Sequence, residues 1–364
     1  MYTTTPSRIP LKTVLNSHKR SLWASLWLCF FAWGCSGSEP SGPNDAGQAD
    51  AFSTAVEIQQ IESKRVDNAN IWSGLSYDGS RILFTTVWHA QGAAQKHIHL
   101  RHYDSELTEL TKPLALTRDA DVPVGKTIAD HKQIFQNGSL YLSWSTAGDK
   151  ELYLLRFDAE GKRSGEQVAV VEGSQFPTND MHLVSDSKAL YVVYGPAGYD
   201  KEVAAYDLDL ASSYQKTITA GFRFSSLGST TFVDGTFHLF SGDERQRSVI
   251  ASHWDQTWTL KEPGHHVVVP TDNDDWNWFS SSAVYDPKRK LWYVAYNHML
   301  PPEEADLDST IRLAVVGDDF SHLAWQHIAG PAAFRPQLLL VDDTLYLSYD
   351  GSGVYLQRYA VKDL

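Results

Sequence analysis

Six turns led by Asp or Asn recur along the chain, at Asp78, Asn137, Asp186, Asp234, Asp286 and Asp342, and an apolar, aromatic-rich run follows each. The runs read ILFTTVW, LYLSWST, LYVVYGP, FHLFSGD, LWYVAYN and LYLSYDG, and successive turns lie 59, 49, 48, 52 and 56 residues apart. A period near 50 residues marks a supersecondary unit that must stack on copies of itself to bury its apolar faces. Few folds satisfy that constraint.

Each unit repeats in detail. A short apolar strand enters the turn (Leu75 to Tyr77, Ile134 to Gln136, Leu183 to Ser185, Thr231 to Val233, Ala283 to Tyr285, Leu339 to Val341). The turn supplies the positive φ of a tight hairpin, and the aromatic strand leaves it. A third strand follows in every unit, from His97 to Tyr103 in the first to Val354 to Ala360 in the last, and a weaker fourth, such as Gln167 to Val171, often completes it. Alternation as in Leu140-Tyr141-Leu142-Ser143-Trp144 has the period of a strand, not of a helix. Four antiparallel strands per unit of about 50 residues make a blade, and radial repetition hides most sheet edges.

The last unit ends without a fourth strand, whereas Ala55 to Ile61 alternates like a strand and has no unit of its own. Pairing the two closes the ring and removes an exposed edge, which is an aggregation hazard. The expected fold is therefore all-β, a six-bladed β-propeller closed by an N-terminal strand. Rungs of a β-helix are shorter than these units, and six matched hairpins are too many for one sandwich.

The N-terminus reads differently. Arg8, Lys12, Lys19 and Arg20 precede the apolar stretch Ser21 to Trp33, and Gly34-Cys35-Ser36 follows. A basic segment, a short apolar core and small residues at the boundary describe a secretory leader. Thirteen residues fall short of the roughly 20 that span a bilayer. Ala32-Trp33-Gly34-Cys35 resembles the lipobox of bacterial lipoproteins at Gly34 and Cys35, though Ala32 replaces the usual Leu and Trp33 the usual small residue. That resemblance implies lipidation at Cys35, and Ser36 after it implies sorting to the outer membrane. Ordinary leader cleavage after Gly34 is the alternative. The other cysteine, Cys29, lies inside the leader, so the body contains no Cys and forms no internal disulfide. The reading divides the chain into a leader (1–34), a lipidated Cys with a Gly/Ser/Pro-rich flexible spacer (35–54) and the propeller (55–364). It places the protein across the inner membrane, anchored in the cell envelope by lipid alone.

Charge excludes one class of partner. The chain carries 31 Lys and Arg against 44 Asp and Glu, a net charge of −13, and removing the leader makes it more negative still. Such a surface repels nucleic acid. A glycan or protein partner at one mouth of the ring is the expectation.

Residues just before each inner strand are the candidates for that mouth. They include Trp72, His131, His182, Asp275, Trp276, Trp278 and Arg335, a set of indoles, imidazoles and charged groups suited to stacking on sugar rings and bonding hydroxyls. Asp130 and Asp180 occupy similar positions on adjacent blades and are the candidate paired carboxylates of glycosidic cleavage. The alternative for both is capping of loop amides. The run Thr271 to Trp278 offers oxygen ligands for calcium, but read as an EF-hand loop from Asp272 it has Asn277 at the sixth position and Ala283 at the twelfth. No cofactor is therefore expected.

Bacterial sialidases are propeller enzymes with a repeated Asp box, Ser-x-Asp-x-Gly-x-x-Trp in outline. Ser76-Tyr77-Asp78-Gly79-Ser80 resembles only part of it, and between the first two strands of a unit instead of the last two. Their Arg-Ile-Pro motif occurs here only as Arg8-Ile9-Pro10 in the leader, and Phe334-Arg335-Pro336 lacks the middle residue. These departures argue against sialidase chemistry. No phosphate-binding Gly loop, HExxH or serine elbow is present. The sequence reading is thus a non-catalytic, envelope-anchored propeller binding a glycan or protein. The alternative is a glycan-active hydrolase or lyase using Asp130 and Asp180, and a structural assembly scaffold stands third.

Overall fold

The computed structural model describes residues 56–67, 71–88, 95–146, 151–171, 181–195, 198–224, 228–243, 248–268, 280–299, 309–330 and 333–363. Every regular element among them is a strand. β1 (Val56–Asp67) comes first and belongs to the last blade. Blade 1 is β2 (Ile71–Tyr77), β3 (Ile82–Trp88), β4 (His97–Tyr103) and β5 (Leu114–Ala115). Blade 2 is β6 (Ile128–Gln136), β7 (Ser139–Thr146), β8 (Leu152–Asp158) and β9 (Val168–Val171). Blade 3 is β10 (His182–Ser185), β11 (Ala189–Tyr194), β12 (Gly198–Asp207) and β13 (Ser212–Phe224). Blade 4 is β14 (Ser229–Val233), β15 (Thr236–Asp243), β16 (Ser248–Trp254) and β17 (Leu260–Val268). Blade 5 is β18 (Ser281–Asp286), β19 (Leu291–Met299), β20 (Ser309–Gly317) and β21 (His322–Ala329). Blade 6 is β22 (Phe334–Val341), β23 (Thr344–Asp350), β24 (Val354–Asp363) and then β1.

The protein is a six-bladed β-propeller. The first strands of successive blades adjoin around the ring, and β22 adjoins β2. β1 runs antiparallel to β24 from Val56↔Asp363 to Asp67↔Val354, closing the ring as the unpaired segment at the N-terminus foretold. One detail departs from six separate sheets. Phe224 pairs with Asp243, so blades 3 and 4 are continuous at one corner.

The core divides by interface. Among the described residues six apolar clusters occur, and each lies between two neighbouring blades. Trp144 and Leu142 pack blade 2 on blade 1, for example, and Trp258 and Phe237 stack at 4.2 Å between blades 3 and 4. Every blade thus buries both faces, which is why its strands read as nearly continuous apolar runs. Polar side chains on inner strands bond across these interfaces. Ser73 meets Ser348 at 2.8 Å, His182 meets Thr230 at 2.8 Å, and Ser282 accepts the Leu338 amide at 3.0 Å.

The turns after the inner strands alternate in kind. In blades 2, 4 and 6 a two-residue loop begins with a left-handed residue, Asn137, Asp234 or Asp342. In blades 1, 3 and 5 the loop is longer, and the side chain of Asp78, Asp186 or Asp286 accepts two backbone N–H groups within it. A second Asp turn joins third and fourth strands. Asp104, Asp158, Asp207 and Asp255 each accept N–H groups two and four residues ahead. The intervening left-handed Leu107, Leu210 and Trp258 turn their side chains into the interblade core.

Candidate functional site

The six inner strands are not alike where they begin. In β2, β6 and β22 one extra residue interrupts pairing with the next strand: Trp72 between Ile71 and Ser73, Ala129 between Ile128 and Asp130, and one of Arg335-Pro336. The inner pairings of blades 3, 4 and 5 carry no such shift among the described residues. A bulge bends its strand and re-aims side chains, and Pro336, with no N–H to give, suits one. The three bulged blades, 6, 1 and 2, are consecutive around the ring. They build one arc of the mouth at which the inner strands start.

On that arc five side chains form a ladder. The Arg335 guanidinium lies 3.9 Å from the centre of the Trp72 ring, and Lys132 Nζ lies 6.0 Å from it. An acid backs each cation. Arg335 Nη1 is bonded to Asp350 Oδ2, and Lys132 Nζ is 3.8 Å from Asp130 Oδ2. The order is acid, cation, indole, cation, acid. Cation–π contacts of this kind contribute about 0.5–2 kcal/mol, more when desolvated.

Backbone strain accompanies the ladder. Trp72 has φ 75° and Arg335 φ 52°, left-handed values that a bulky side chain adopts at a cost. Buried Asn297 holds the second of these. Its Oδ1 accepts the Arg335 N–H at 3.2 Å, and its Nδ2 donates to Ser309 Oγ and Ala333 O at 2.8 Å.

The two acids differ in surroundings. Burial raises the Asp350 carboxyl above the ordinary carboxylate range, with Arg335 opposing the shift. Asp130 is fully buried; its Oδ1 takes the His131 N–H at 2.7 Å, and Lys132 stands near its Oδ2.

The structure places the sequence-predicted residues in three ways. Trp72, Asp130 and Arg335 come together in the ladder. His131 follows Asp130 on β6 and His182 begins β10, but both serve as links between blades. His131 Nε2 meets Thr85 Oγ1 of blade 1 at 2.8 Å, and His182 bonds Thr230 of blade 4. Burial, with Lys132 adding to it, pushes His131 down to about 3, and burial likewise holds His182 well below the ordinary value. Asp180, Asp275, Trp276, Trp278 and Cys35 lie outside the described residues, as does the Thr271 to Trp278 run considered for calcium.

Two members of the ladder escaped the sequence reading. Lys132 is two residues past Asp130 and therefore on the same side of β6, a signal that strand alternation offers. Asp350 is the last residue of β23, within the run LYLSYDG, but only the register of that strand, where it pairs with Phe334 beside Arg335, brings it to the mouth.

At the opposite, turn end, a cavity of about 570 Å³ lies among the inner strands of blades 4, 5 and 6. Thr231, Val233, Tyr285, Leu339 and Leu340 line it, with Asp234 and Lys290 as its charged groups.

No family model matches the chain, and no curated protein does. Solved structures do resemble it. A phage phi92 endosialidase aligns with a TM-score of 0.55 at 10% identity, over 86% of this chain and 70% of that one. A Trypanosoma rangeli sialidase aligns at 0.54 and 12% identity, over 82% of this chain and 54% of that one. A member of the DUF4221 family from Bacteroides vulgatus aligns at 0.48 and 11%, over 85% of this chain and 99% of that one. At such identities the likeness to the two sialidases is one of fold, in agreement with the six blades described above.

Proposed function

We propose that this propeller is a glycan-active protein whose substrate meets the mouth where the inner strands begin. The observation that carries the reading is the pair of buried carboxylates, Asp130 and Asp350, brought to one bulged arc on either side of an indole. Glycosidic cleavage needs one carboxyl that gives a proton and one that stays ionised. Asp350, raised by burial, is the candidate proton donor to the leaving glycosidic oxygen, and its ion pair with Arg335 is the deprotonated state between turnovers. Asp130, which accepts the His131 amide N–H and faces Lys132, is the second carboxylate of the pair. Trp72 is the platform for a sugar face. Propeller neighbours with sialidase activity in their names make this class of chemistry a sensible first test. The turn-end cavity has no comparable acid pair. In this reading Cys35 tethers the ring to the envelope.

A second reading, non-catalytic glycan binding, draws on a different observation. Both acids are engaged by cations, and Asp130 has no exposed surface. The two readings separate in one experiment. Purified protein is incubated with a panel of glycans, and both released sugar and binding are measured for wild type, Asp130→Asn, Asp350→Asn and Trp72→Ala. Turnover that falls at least about 100-fold in both Asn variants while binding persists supports the hydrolase. Binding without turnover, lost in Trp72→Ala, supports the second reading. Activity unchanged in all three variants would remove the site from consideration. For the tether, Cys35→Ser should release the protein from membranes, and unchanged membrane association would refute lipidation.

A further inference from the structure

Blade 4 carries a second cluster, far out along the blade and independent of the mouth. His238, His253 and Glu262 stand directly opposite one another across β15, β16 and β17. Two residues along β16, Ala251 pairs with His265, so two residues of β17, Pro263 and Gly264, face the single Ser252 of β16. In a regular strand Glu262 and His265, three apart, would point to opposite faces. The extra residue of this bulge brings both to the side that His253 occupies.

The resulting geometry is compact. His265 Nε2 is 3.0 Å from Glu262 Oε2, and His253 Nδ1 is 3.9 Å from that same oxygen. One donor atom from each of the three residues lies within 4.8 Å of the other two. Phe320 of blade 5 packs against His253 at 4.3 Å and stacks on His265 at 5.6 Å, forming an aromatic wall. Buried His253 leaves its Nε2 without a hydrogen-bond partner among the described residues, whereas Glu262 and His265 reach solvent.

We propose that His253, Glu262 and His265 bind one divalent transition-metal ion of the zinc class. Two imidazoles and one carboxylate are a donor set that zinc takes, and three protein ligands leave a fourth position for solvent. Bonds of about 2.0–2.2 Å in tetrahedral geometry set ligand atoms about 3.3 Å apart, between the two spacings observed here. Glu262 and His265 can close on the ion by side-chain rotation while packing fixes His253. Calcium and magnesium, which call for shells of oxygen ligands, are poorly matched to two nitrogens.

Titration of tag-free protein with Zn²⁺ by calorimetry, and with Co²⁺ followed by visible absorption, tests the site. The expected result is one equivalent per chain and the absorption bands of tetrahedral cobalt, which Zn²⁺ then abolishes. Glu262→Gln, at an exposed position, and His265→Ala, at a half-buried one, should each weaken binding by at least about tenfold. His266→Ala should leave it unchanged, because that ring bonds Ser248 instead. No saturable binding by the wild type, or equal binding by all three variants, overturns the proposal.

Discussion

The guanidinium of Arg335 stacks 3.9 Å from the ring centre of Trp72, and both residues hold left-handed backbone angles. Two strained residues thus secure one another across blades 6 and 1, with Asp350 behind the arginine. Breaking a buried ion pair by removing one partner leaves the other charge uncompensated. Arg335→Ala is therefore expected to destabilise the fold by about 3 kcal/mol, and Arg335→Ala with Asp350→Asn by clearly less than the sum of the two single changes. Urea unfolding of the four proteins measures the coupling; strict additivity would contradict the pairing.

Acid should loosen the ring. Burial lowers His131 to about 3 and His182 well below its ordinary value. The folded chain therefore keeps both rings neutral, while the unfolded chain takes up protons near pH 6.5. Their stabilising contribution is whole above about pH 6.5 and is lost as pH falls toward the folded-state values. For His131 alone the loss over that whole range approaches about 5 kcal/mol. Thermal unfolding should show Tm falling between pH 7 and 4, less steeply in His131→Gln. A slope unchanged in that variant would mean other groups cause the decline.

Asp286 should be the most costly of the turn aspartates to remove. Its Oδ1 caps the Lys288 and Arg289 amides, and its Oδ2 accepts from Arg289 and from the Tyr293 hydroxyl. Arg289 in turn reaches Asp343 and Asp363 of blade 6. Asp286→Ala is expected to cost about 3 kcal/mol, since it orphans buried partners. Asp319→Ala, which uncaps an exposed turn at Ser321, should cost about 1 kcal/mol or less. Comparable losses in the two variants would show that the network adds nothing.

Gly228 sits where a methyl group has no room. A Cβ there would lie 2.0 Å from the carbonyl oxygen of Phe240, backbone that cannot swing away. Gly228→Ala should lower Tm by several degrees, whereas Ala at Gly79, with open space around it, should act only through its left-handed backbone. Equal shifts at the two positions would refute the steric account.

Much of this scaffold was legible because its signals are local. Asp- and Asn-led turns, period-two alternation and an unmatched strand at each end sufficed for six blades and their closure. The second Asp turn is equally local, an aromatic residue then Asp, as at Tyr103-Asp104 and Trp254-Asp255, but it lacks the Gly that directly follows the Asp or Asn in several of the first. Candidate residues were harder. Position before an inner strand found Trp72, Asp130 and Arg335, yet it equally selected His131 and His182, whose bonds run to neighbouring blades. Only pairing partners distinguish these outcomes, and register across strands is not written in any single strand. The bulges behind the ladder and behind the blade 4 cluster are of that kind.

Closure by β1 also sets an order of events. Ser63 of that strand bonds Gln357, 294 residues away along the chain. Contacts so distant in sequence form slowly, because the loop entropy must be overcome before they contribute. If early blades stack on one another first, β1 must wait, unpaired, until β24 is in place. During that interval the folding protein carries a free sheet edge, so its last step is also the one that ends its exposure to edge-to-edge association.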